Sequence, residues 1–595
     1  MQTVSQGWKD NQNELLVSES FVDVSLSLLD PDAYESATAS DNGHASISNT
    51  AQTISEVDKN IKPYATLEKN LWVLDGGCEV IPTGTKGDCG FISGQISGGD
   101  AVFTSPPILT LSFPEVQHNL IQGVTIEWGV AFDEYAVNFA VVAYNGDTPV
   151  ATKIITGNTE LKSVVFVDIE GYDRIDIRIT KWCLPHRRAR IANILPGVEI
   201  SYSKKDIFSF SHSQDVDPIS STLPKSEISF SLDNLDGSYN PNNLDSLSKY
   251  LIERQELKAR YGYKIDGKTE WIKCGTFYMS EWSAKQNGMS ADFKARDLLE
   301  FMTDTYFKGL YYPNGVSLYD LAVDVLTDAN LPLQKDGSTK WYVDERLKDI
   351  YTVAPLPIDT HANCLQLIAN AGECVLYQDR NGTLRMEKVA IDSETTDYNI
   401  NYFNSYSKPD LTLSKPLKQV RVPCYSYSVD EVRTELYKEV MTVNGTIDLM
   451  VTYSSSAENV TTNVAGGTLN SATYYSNMCL LNLTANGVIT VGVKGYPINS
   501  STIDVTTNSG VSGETISVDN PLITNRDRAI AVGAWVENYM KNRKIINVDW
   551  RADPRLDALD VVSNENDYDV NSVVMTNVNY SYNGAFRGKG EGRVI

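Results

Sequence analysis

The sequence predicts a mainly β, multidomain protein: a jelly-roll-like β-sandwich, barrel-forming strand segments and a small α+β domain. Three observations predict it. At 595 residues the chain is too long for one core, and ordinary domain sizes give about three to five units. Its 32 tyrosines outnumber 16 phenylalanines and stand among many Val, Ile, Thr and Ser residues, a mixture that suits strands. Sustained helical periodicity is confined to a few stretches after residue 310, whereas short alternating runs recur along the rest.

Residues 1–60 are polar, with one strand signal. Val22, Val24, Leu26 and Leu28 alternate with Asp23, Ser25 and Ser27, the period of a half-buried strand, and 30–60 reads as a linker. Residues 61–196 hold "ILTLSF", "GVTIEWGVAF", "NFAVVAYNG", "SVVFVDI" and "DRIDIRITKW", separated by Gly, Pro, Asn and Asp. These are the runs of a jelly-roll-like β-sandwich. Val198, Ile200 and Tyr202 alternate as Val22–Leu28 do, so the sandwich is expected to be inserted between two neighbouring strands of a first barrel spanning 197–310. Residues 311–424 read as an α+β module. Ser317 caps a helix with Leu318, Leu321, Ala322, Val325 and Leu326 on one face; a second helix, 361–371, ends at Gly372, expected in the left-handed conformation; an Asn381-Gly382 hairpin follows. Residues 425–524, rich in Ser, Thr and Asn, read as a β-rich insertion. Residues 525–595 hold a helix, with Ile530, Ala534, Trp535, Val536 and Tyr539 as its apolar side, and returning barrel strands.

The net charge is −25, which opposes general adhesion to nucleic acid or anionic membranes and suits a channel wall past which DNA slides. The first twenty residues lack the pattern of a secretory leader, and no apolar run reaches the length of a membrane helix. The eight cysteines are scattered without a CxxC pair and read as reduced thiols, with Cys78 and Cys89 around a Gly-rich loop as the candidate exception.

The candidate chemistry is thin. In "FSLDNLDGSYNP" (230–241), aligning Gly237 with the glycine of a calcium EF loop puts Leu232 at the first ligand position and Asn243 at the last. Neither supplies the needed carboxylate, so Asp233 and Asp236 belong to a turn that ends a strand. Asp549, Asp553, Asp557 and Asp560 in "VDWRADPRLDALDVV" read as a solvated loop rather than a glycosidase pair, with Asp560 at a strand entry. The five histidines form no HExxH, and GxSxG, P-loop and GxGxxG patterns are missing. "PHRRARI" (185–191) is a basic cluster that reads as a solvated loop, with an acidic partner or another part of the chain as the alternative. Trp72, Trp128 and Tyr144 are candidate glycan contacts through exposed aromatic faces, although the alternation around the sandwich aromatics also fits a core. No catalytic, cofactor-binding or metal-binding residue is assigned.

The order of several pieces carries a resemblance. "EISFSLDNLDGSYNP", "LIERQELKARYGY", "EWIKCGTFYMSEW" and "ADFKARDLLEFM" precede "SLYDLAVDVLTDANL" and "CLQLIANAGECVLYQDRNGTLRMEK", and "AIAVGAWVENYMKNRKIINVDWRADPRLDALDVV" closes the series. Over about 200–425 and 525–595 the chain resembles the baseplate-hub or tail-tip proteins of tailed bacteriophages, related to the spike base of type VI secretion systems. The 64–195 stretch resembles a front module of such proteins in prophages of Gram-positive bacteria; 425–525 departs from the pattern.

The resemblance implies hub-type barrels and a homotrimer. It further implies a structural role joining the tail tube to the tip and lining the DNA exit channel, with host attachment and genome ejection as the processes served. Partners implied are tail tube or distal tail proteins, spike or fibre proteins, a tape-measure protein, DNA passing without specific binding, and host cell-wall glycan. The implied location is the virion tail tip, after synthesis in the host bacterial cytoplasm. No enzymatic activity and no cofactor are expected. Two alternatives stand beside this reading: a glycan-binding adhesion protein of the tail, and a cell-wall glycan or peptidoglycan hydrolase.

Overall fold

The computed structural model describes residues 1–29, 31–54, 68, 90–129, 132–243, 246–285, 288–332, 338–389, 398–508 and 510–595. The protein is mainly β and built from several sheets. The largest has thirteen strands and draws on both ends of the chain. Its path runs Gly197–Tyr202, Ser20–Leu29, Glu256–Ile265, Lys268–Ala284, Ser290–Arg296, Lys225–Asp233, Ile207–Asp215, Val570–Tyr582, Phe586–Val594, Lys544–Arg551 and Asp410–Leu413. Val561–Glu565, with Asn399–Ile400, branches beside Val570–Tyr582. The strands of 197–310 and of the C-terminal segment, read from sequence as two barrels, therefore share one sheet.

The alternation in Phe21–Leu29 explains its place. Val24 faces Tyr202 on one side and Ala259 on the other, and Leu26 faces Ile200 and Leu257. Val22, Val24, Leu26 and Leu28 all enter one core that also holds Trp8, Phe230, Trp550 and Tyr580. Each such side chain contributes roughly 1.5–3 kcal/mol when buried.

Between Ser20–Leu29 and Gly197–Tyr202 lies the sandwich. Its five-stranded sheet is Thr38–Asp41, Ile108–Gln117, Tyr172–Trp182, Ala136–Asn145 and Thr148–Ile155. It shares a core with a three-stranded sheet of Asn193–Leu195, Ile121–Glu127 and Lys162–Ile169. The reading of 30–60 as a linker is corrected at its start. Pro31–Ser36 is helical and Thr38–Asp41 pairs with Ile108–Gln117, so this module draws a strand from before residue 61.

A second core joins the Leu318–Asp328 and His361–Ala371 helices, the Val375–Gln378 and Leu384–Glu387 hairpin, and the Arg526–Met540 helix. Ser317 caps the first helix through Asp320 N, as its position predicts. Two sequence expectations are corrected here. Gly372 has φ −89, and the left-handed residue is Glu373 at φ 53. Gly372 is required by space instead, since a Cβ there would lie 2.4 Å from Leu347 Cδ2. The expected apolar side of Arg526–Met540 holds only in part: Val536 is buried and Trp535 and Tyr539 pack against the core, but Ile530 and Ala534 are exposed, and Ala529, Val532 and Gly533 complete the buried face, Gly533 letting the helix lie close to Thr507 and Val422.

The 425–524 region builds a module that closes on itself. Thr434–Thr452 pairs with Met478–Thr506 from Thr434↔Gly495 to Thr452↔Met478. Ala457–Ala465 and Thr468–Tyr474 run along the other side of Met478–Thr506. Each of the three paths carries a glycine with positive φ, Gly445 (102), Gly466 (86) and Gly487 (137), a conformation that side chains resist. Ser454 N donates to Leu436 O at 3.1 Å, bringing the end of the first strand back to its beginning. The folded-over sheet encloses Leu481, Leu483, Ile489, Val491 and Val493, so few large apolar residues suffice.

Removing residues 1–196 takes Ser20–Leu29 out of the sheet and leaves Gly197–Tyr202 and Glu256–Ile265 without their shared neighbour. The 197–595 chain is expected to lose the sharp thermal transition of the full chain, followed by circular dichroism. An equally sharp transition in the shortened chain would show that the strand is dispensable.

Candidate functional site

The two halves of the large sheet meet where Ile207–Asp215 pairs with Val570–Tyr582, in register from Phe210↔Tyr582 to Asp215↔Asn577. Behind this seam His212 Nδ1 lies 2.8 Å from Tyr261 Oη, and Cys274 Sγ lies 3.0 Å from the same oxygen and 3.5 Å from Nδ1. In an open cleft a thiol and an imidazole at that distance form a nucleophile and its base. Here all three groups are buried. Burial, with the Arg380 charge adding, pushes His212 down to about 3, and burial pushes the Cys274 thiol up to about 12. Near neutral pH neither a thiolate nor an imidazolium forms, so the cluster is neutral packing.

Arg380 reaches the seam from the Asp379–Gly382 turn, where Gly382 takes φ 78. Its guanidinium is buried and almost fully used. Nε donates to Asp557 Oδ1 at 2.7 Å, Nη1 to Lys273 O at 2.8 Å, and Nη2 to Pro554 O at 2.7 Å and Leu556 O at 3.1 Å. The "solvated loop" of aspartates is thus corrected. Asp553 is buried and accepts from Arg555 Nε at 2.7 Å and Trp8 Nε1 at 3.3 Å, and Asp557 holds Arg380. Asp560 accepts from Asp557 N at 2.8 Å, whereas Asp549 pairs at the surface with Arg587. Asp553 and Asp557 sit in this loop because the buried Arg555 and Arg380 need them, and the Arg380 partnership is one that the local sequence does not display.

A cavity of about 310 Å³ lies beside Arg380, lined among others by Gln214, Lys225, Asp297, Gln378 and Asp557. Two of its amides are spent inside the protein. Gln378 accepts from Leu298 N and donates to Thr276 O, and Gln214 accepts from Ala558 N and donates to Asp557. Asp297 caps the Leu298–Met302 turn by accepting from Leu299 N at 3.0 Å, and burial pushes its carboxyl up to about 7.

The other expected positions resolve individually. Asp233 and Asp236 are turn residues: Asp233 Oδ1 accepts from Leu235 N at 3.0 Å and Asp236 Oδ1 from Ser238 N at 2.9 Å, with Gly237 at φ 71. Trp128 is buried, donates to Ser163 Oγ at 2.8 Å and packs edge-on against Phe139, so no sugar reaches its face. Tyr144 is buried, its hydroxyl accepts from Arg178, and the Arg174 guanidinium covers its ring at 4.3 Å. Trp72, Cys78 and Cys89 lie outside the described residues. "PHRRARI" is corrected from a solvated loop to an internal ion-pair network. Arg187 Nε meets Glu134 Oε1 at 2.8 Å, and Arg190, also buried, meets Glu68 and Glu134. Among the described residues, no group of three or more His, Cys, Asp or Glu side chains is arranged to hold a metal ion.

Truncating Arg380 to alanine leaves Asp557 without its charge partner and is expected to cost about 3–5 kcal/mol in unfolding free energy, measured by denaturant titration; a loss below about 1 kcal/mol would contradict the role given to it. Asp297 behaves differently. Its folded carboxyl binds a proton more tightly than the unfolded one, so its contribution is fully present below about pH 4 and is lost as pH rises to about 7. Asp297→Asn keeps a capping oxygen without the charge. It is expected to raise the melting temperature at pH 8 and leave it unchanged at pH 4; equal effects at both values would refute the assignment.

No protein-family model matches the chain, and no curated protein matches it in sequence. Solved structures of tail proteins align with parts of the chain, all at TM-scores of 0.38 or below. The 43 kDa tail protein of prophage MuSo2 from Shewanella oneidensis aligns over 67% of this chain and 95% of its own, at 10% identity and a TM-score of 0.36. A tail protein from Neisseria meningitidis aligns over 67% and 94%, at 9% identity and a TM-score of 0.38. An E. coli component of the type VI secretion system, described as structurally similar to the T4 bacteriophage tail proteins gp27 and gp5, aligns over 66% and 74%, at 8% identity and a TM-score of 0.31.

Proposed function

We propose that the protein is a structural component of a phage tail, the central baseplate hub or tail-tip protein. It joins the tail tube to the tip and lines the path of the exiting DNA as a homotrimer. The observation that carries this reading is the single sheet. The motifs on which the resemblance rests are far apart in sequence, yet "EISFSLDN", "ELKARYGY", "EWIKCGTFYMSEW" and the "INVDW" run all supply strands to it. The helix-pair unit is pinned to the same sheet through Arg380. Two strand sets from one chain, joined side by side, give a subunit with two wall segments. Three such subunits make a six-segment ring.

Two observations weigh against the alternative readings. A hydrolase needs two carboxyls facing a substrate, and Asp553 and Asp557 are instead taken by arginines. An adhesion platform needs open aromatic faces; of the three candidates, Trp128 and Tyr144 are covered and Trp72 lies outside the described residues. The reading assigns no reaction to the protein. Its neighbours in the tail are tube or distal tail proteins, the tape-measure protein and spike or fibre proteins.

The test is electron cryomicroscopy of tails produced by the parent phage. Three copies at the distal end of the tube, encircling its axis, are expected. A position along the tube, in a peripheral fibre, or outside the particle would refute the proposal.

A further inference from the structure

Asp297 is buried, 3% exposed, and lines the cavity beside Arg380. The other three aspartates on that cavity are paired. Asp379 meets Arg385 at 2.8 Å, Asp557 meets Arg380 at 2.7 Å, and Asp560 meets the Met1 amine at 2.6 Å. Among the described residues, Asp297 makes no ion pair. The cations beside it in chain and sheet are turned elsewhere. Arg296 lies 3.5 Å from Glu227 and 3.4 Å from Glu300, and Lys225 lies 3.6 Å from Glu227. Tyr377, also on the cavity, donates to Glu387 at 2.6 Å, and burial keeps its phenol neutral.

The place of Asp297 in the chain gives this carboxyl leverage. It follows the Ser290–Arg296 strand, whose Phe293 and Ala295 lie in the core of the large sheet. It precedes the Leu298–Met302 turn, whose Leu298 and Met302 lie in the core of the helix pair. Three hydrogen bonds hold that turn. Leu298 N donates to Gln378 Oε1 at 2.8 Å, Leu299 N to Asp297 Oδ1 at 3.0 Å, and Glu300 N to Asp297 O at 3.1 Å. Asn or Ser would cap the turn equally well, so the cap does not require an acid.

We infer that Asp297 is a proton-controlled latch on the link between the two cores. Protonated, it holds the Leu298–Met302 turn closed; ionised, it draws water into the cavity and frees the turn, while Arg380 keeps the hairpin on the sheet. The direction follows from charge. The protonated carboxyl is a neutral cap in a buried site. The ionised form lacks a cation, shares the cavity with Asp557 and Asp560, and regains solvation only when the turn opens. Burial pushes the closed carboxyl up to about 7, whereas a hydrated aspartate titrates near about 4. The closed form therefore has its full advantage below about pH 4, loses it by about tenfold per pH unit up to about 7, and changes no further above that.

The test is hydrogen exchange followed by mass spectrometry on the full chain, with rates corrected for the intrinsic pH dependence of exchange. In a peptide spanning 298–302, protection is expected to fall by about tenfold per pH unit between about pH 5 and 7 and to level off above about pH 7.5. A peptide within Tyr172–Trp182, which belongs to the separate core of the sandwich, is expected to hold its protection across the same range. Asp297→Asn and Asp297→Ser keep a capping oxygen without the acid, and each is expected to hold the turn protected at every pH. Three results would each overturn the inference: a parent whose 298–302 protection changes by less than about threefold over this range, a change shared equally by the Tyr172–Trp182 peptide, or a pH dependence that survives in a folded variant.

Discussion

One guanidinium ties the molecule's two main cores together. Arg380 belongs to the α+β module, whose core holds Leu318–Asp328 and His361–Ala371, yet its hydrogen-bond partners all belong to the large sheet and its 553–557 loop. A buried charge of this kind is costly unless every donor is met. Here a carboxylate and three backbone carbonyls meet it in a geometry that a lysine could not reproduce. The pair adds less to stability than the apolar cores do. It adds position, because only one docking of the hairpin tip satisfies the whole set. The neutral His212–Tyr261–Cys274 cluster lies against that charge, which adds to burial in depressing its imidazole.

Local signals in the sequence carried much of the fold. Val22–Leu28 announced a half-buried strand, Ser317 a helix start and Asn381-Gly382 a turn, because each depends on neighbours within a few residues. Partnerships across long separations were not legible. Arg380 and Asp557 are 177 positions apart, and nothing around either names the other. Arg187 and Arg190 looked like a solvated basic run for the same reason, since Glu134 and Glu68 come from other parts of the chain. The Arg526–Met540 helix misled in another way. Ile530 faces water while Ala529 and Gly533 pack beside Val532, Val536, Trp535 and Tyr539, because Gly533 brings the helix close to Val422. For the candidate site, the sequence correctly set aside Asp233 and Asp236 as turn residues. It could not say that Trp128 and Tyr144 have their faces covered, as alternation gives the side of a strand and not what lies against it.

The 434–497 module shows how a poor composition still makes a core. A flat three-stranded sheet of Thr, Asn and Val would have one face in water. Bending all three paths at Gly445, Gly466 and Gly487 lets one strand serve as the centre of both layers. The outer face is then free to be hydroxyl- and amide-rich, as in the Thr446–Thr484 and Asn470–Asn482 contacts.

The position of Ser20–Leu29 has a consequence for the life of the chain on the ribosome. That strand is made early, but its partners are Gly197–Tyr202 and Glu256–Ile265, and the far half of its sheet is not made until residues 544–594. The sandwich between them has its own core and can fold while synthesis continues. The early strand must wait unpaired while the 167 residues between Leu29 and Gly197 emerge, and its second edge longer still, until Glu256–Ile265 is made, and loop closure over such spans is slow. Val22, Val24, Leu26 and Leu28 are therefore a period of vulnerability in translation, a stretch open to chaperones or to wrong pairing before it becomes the interior of the finished sheet.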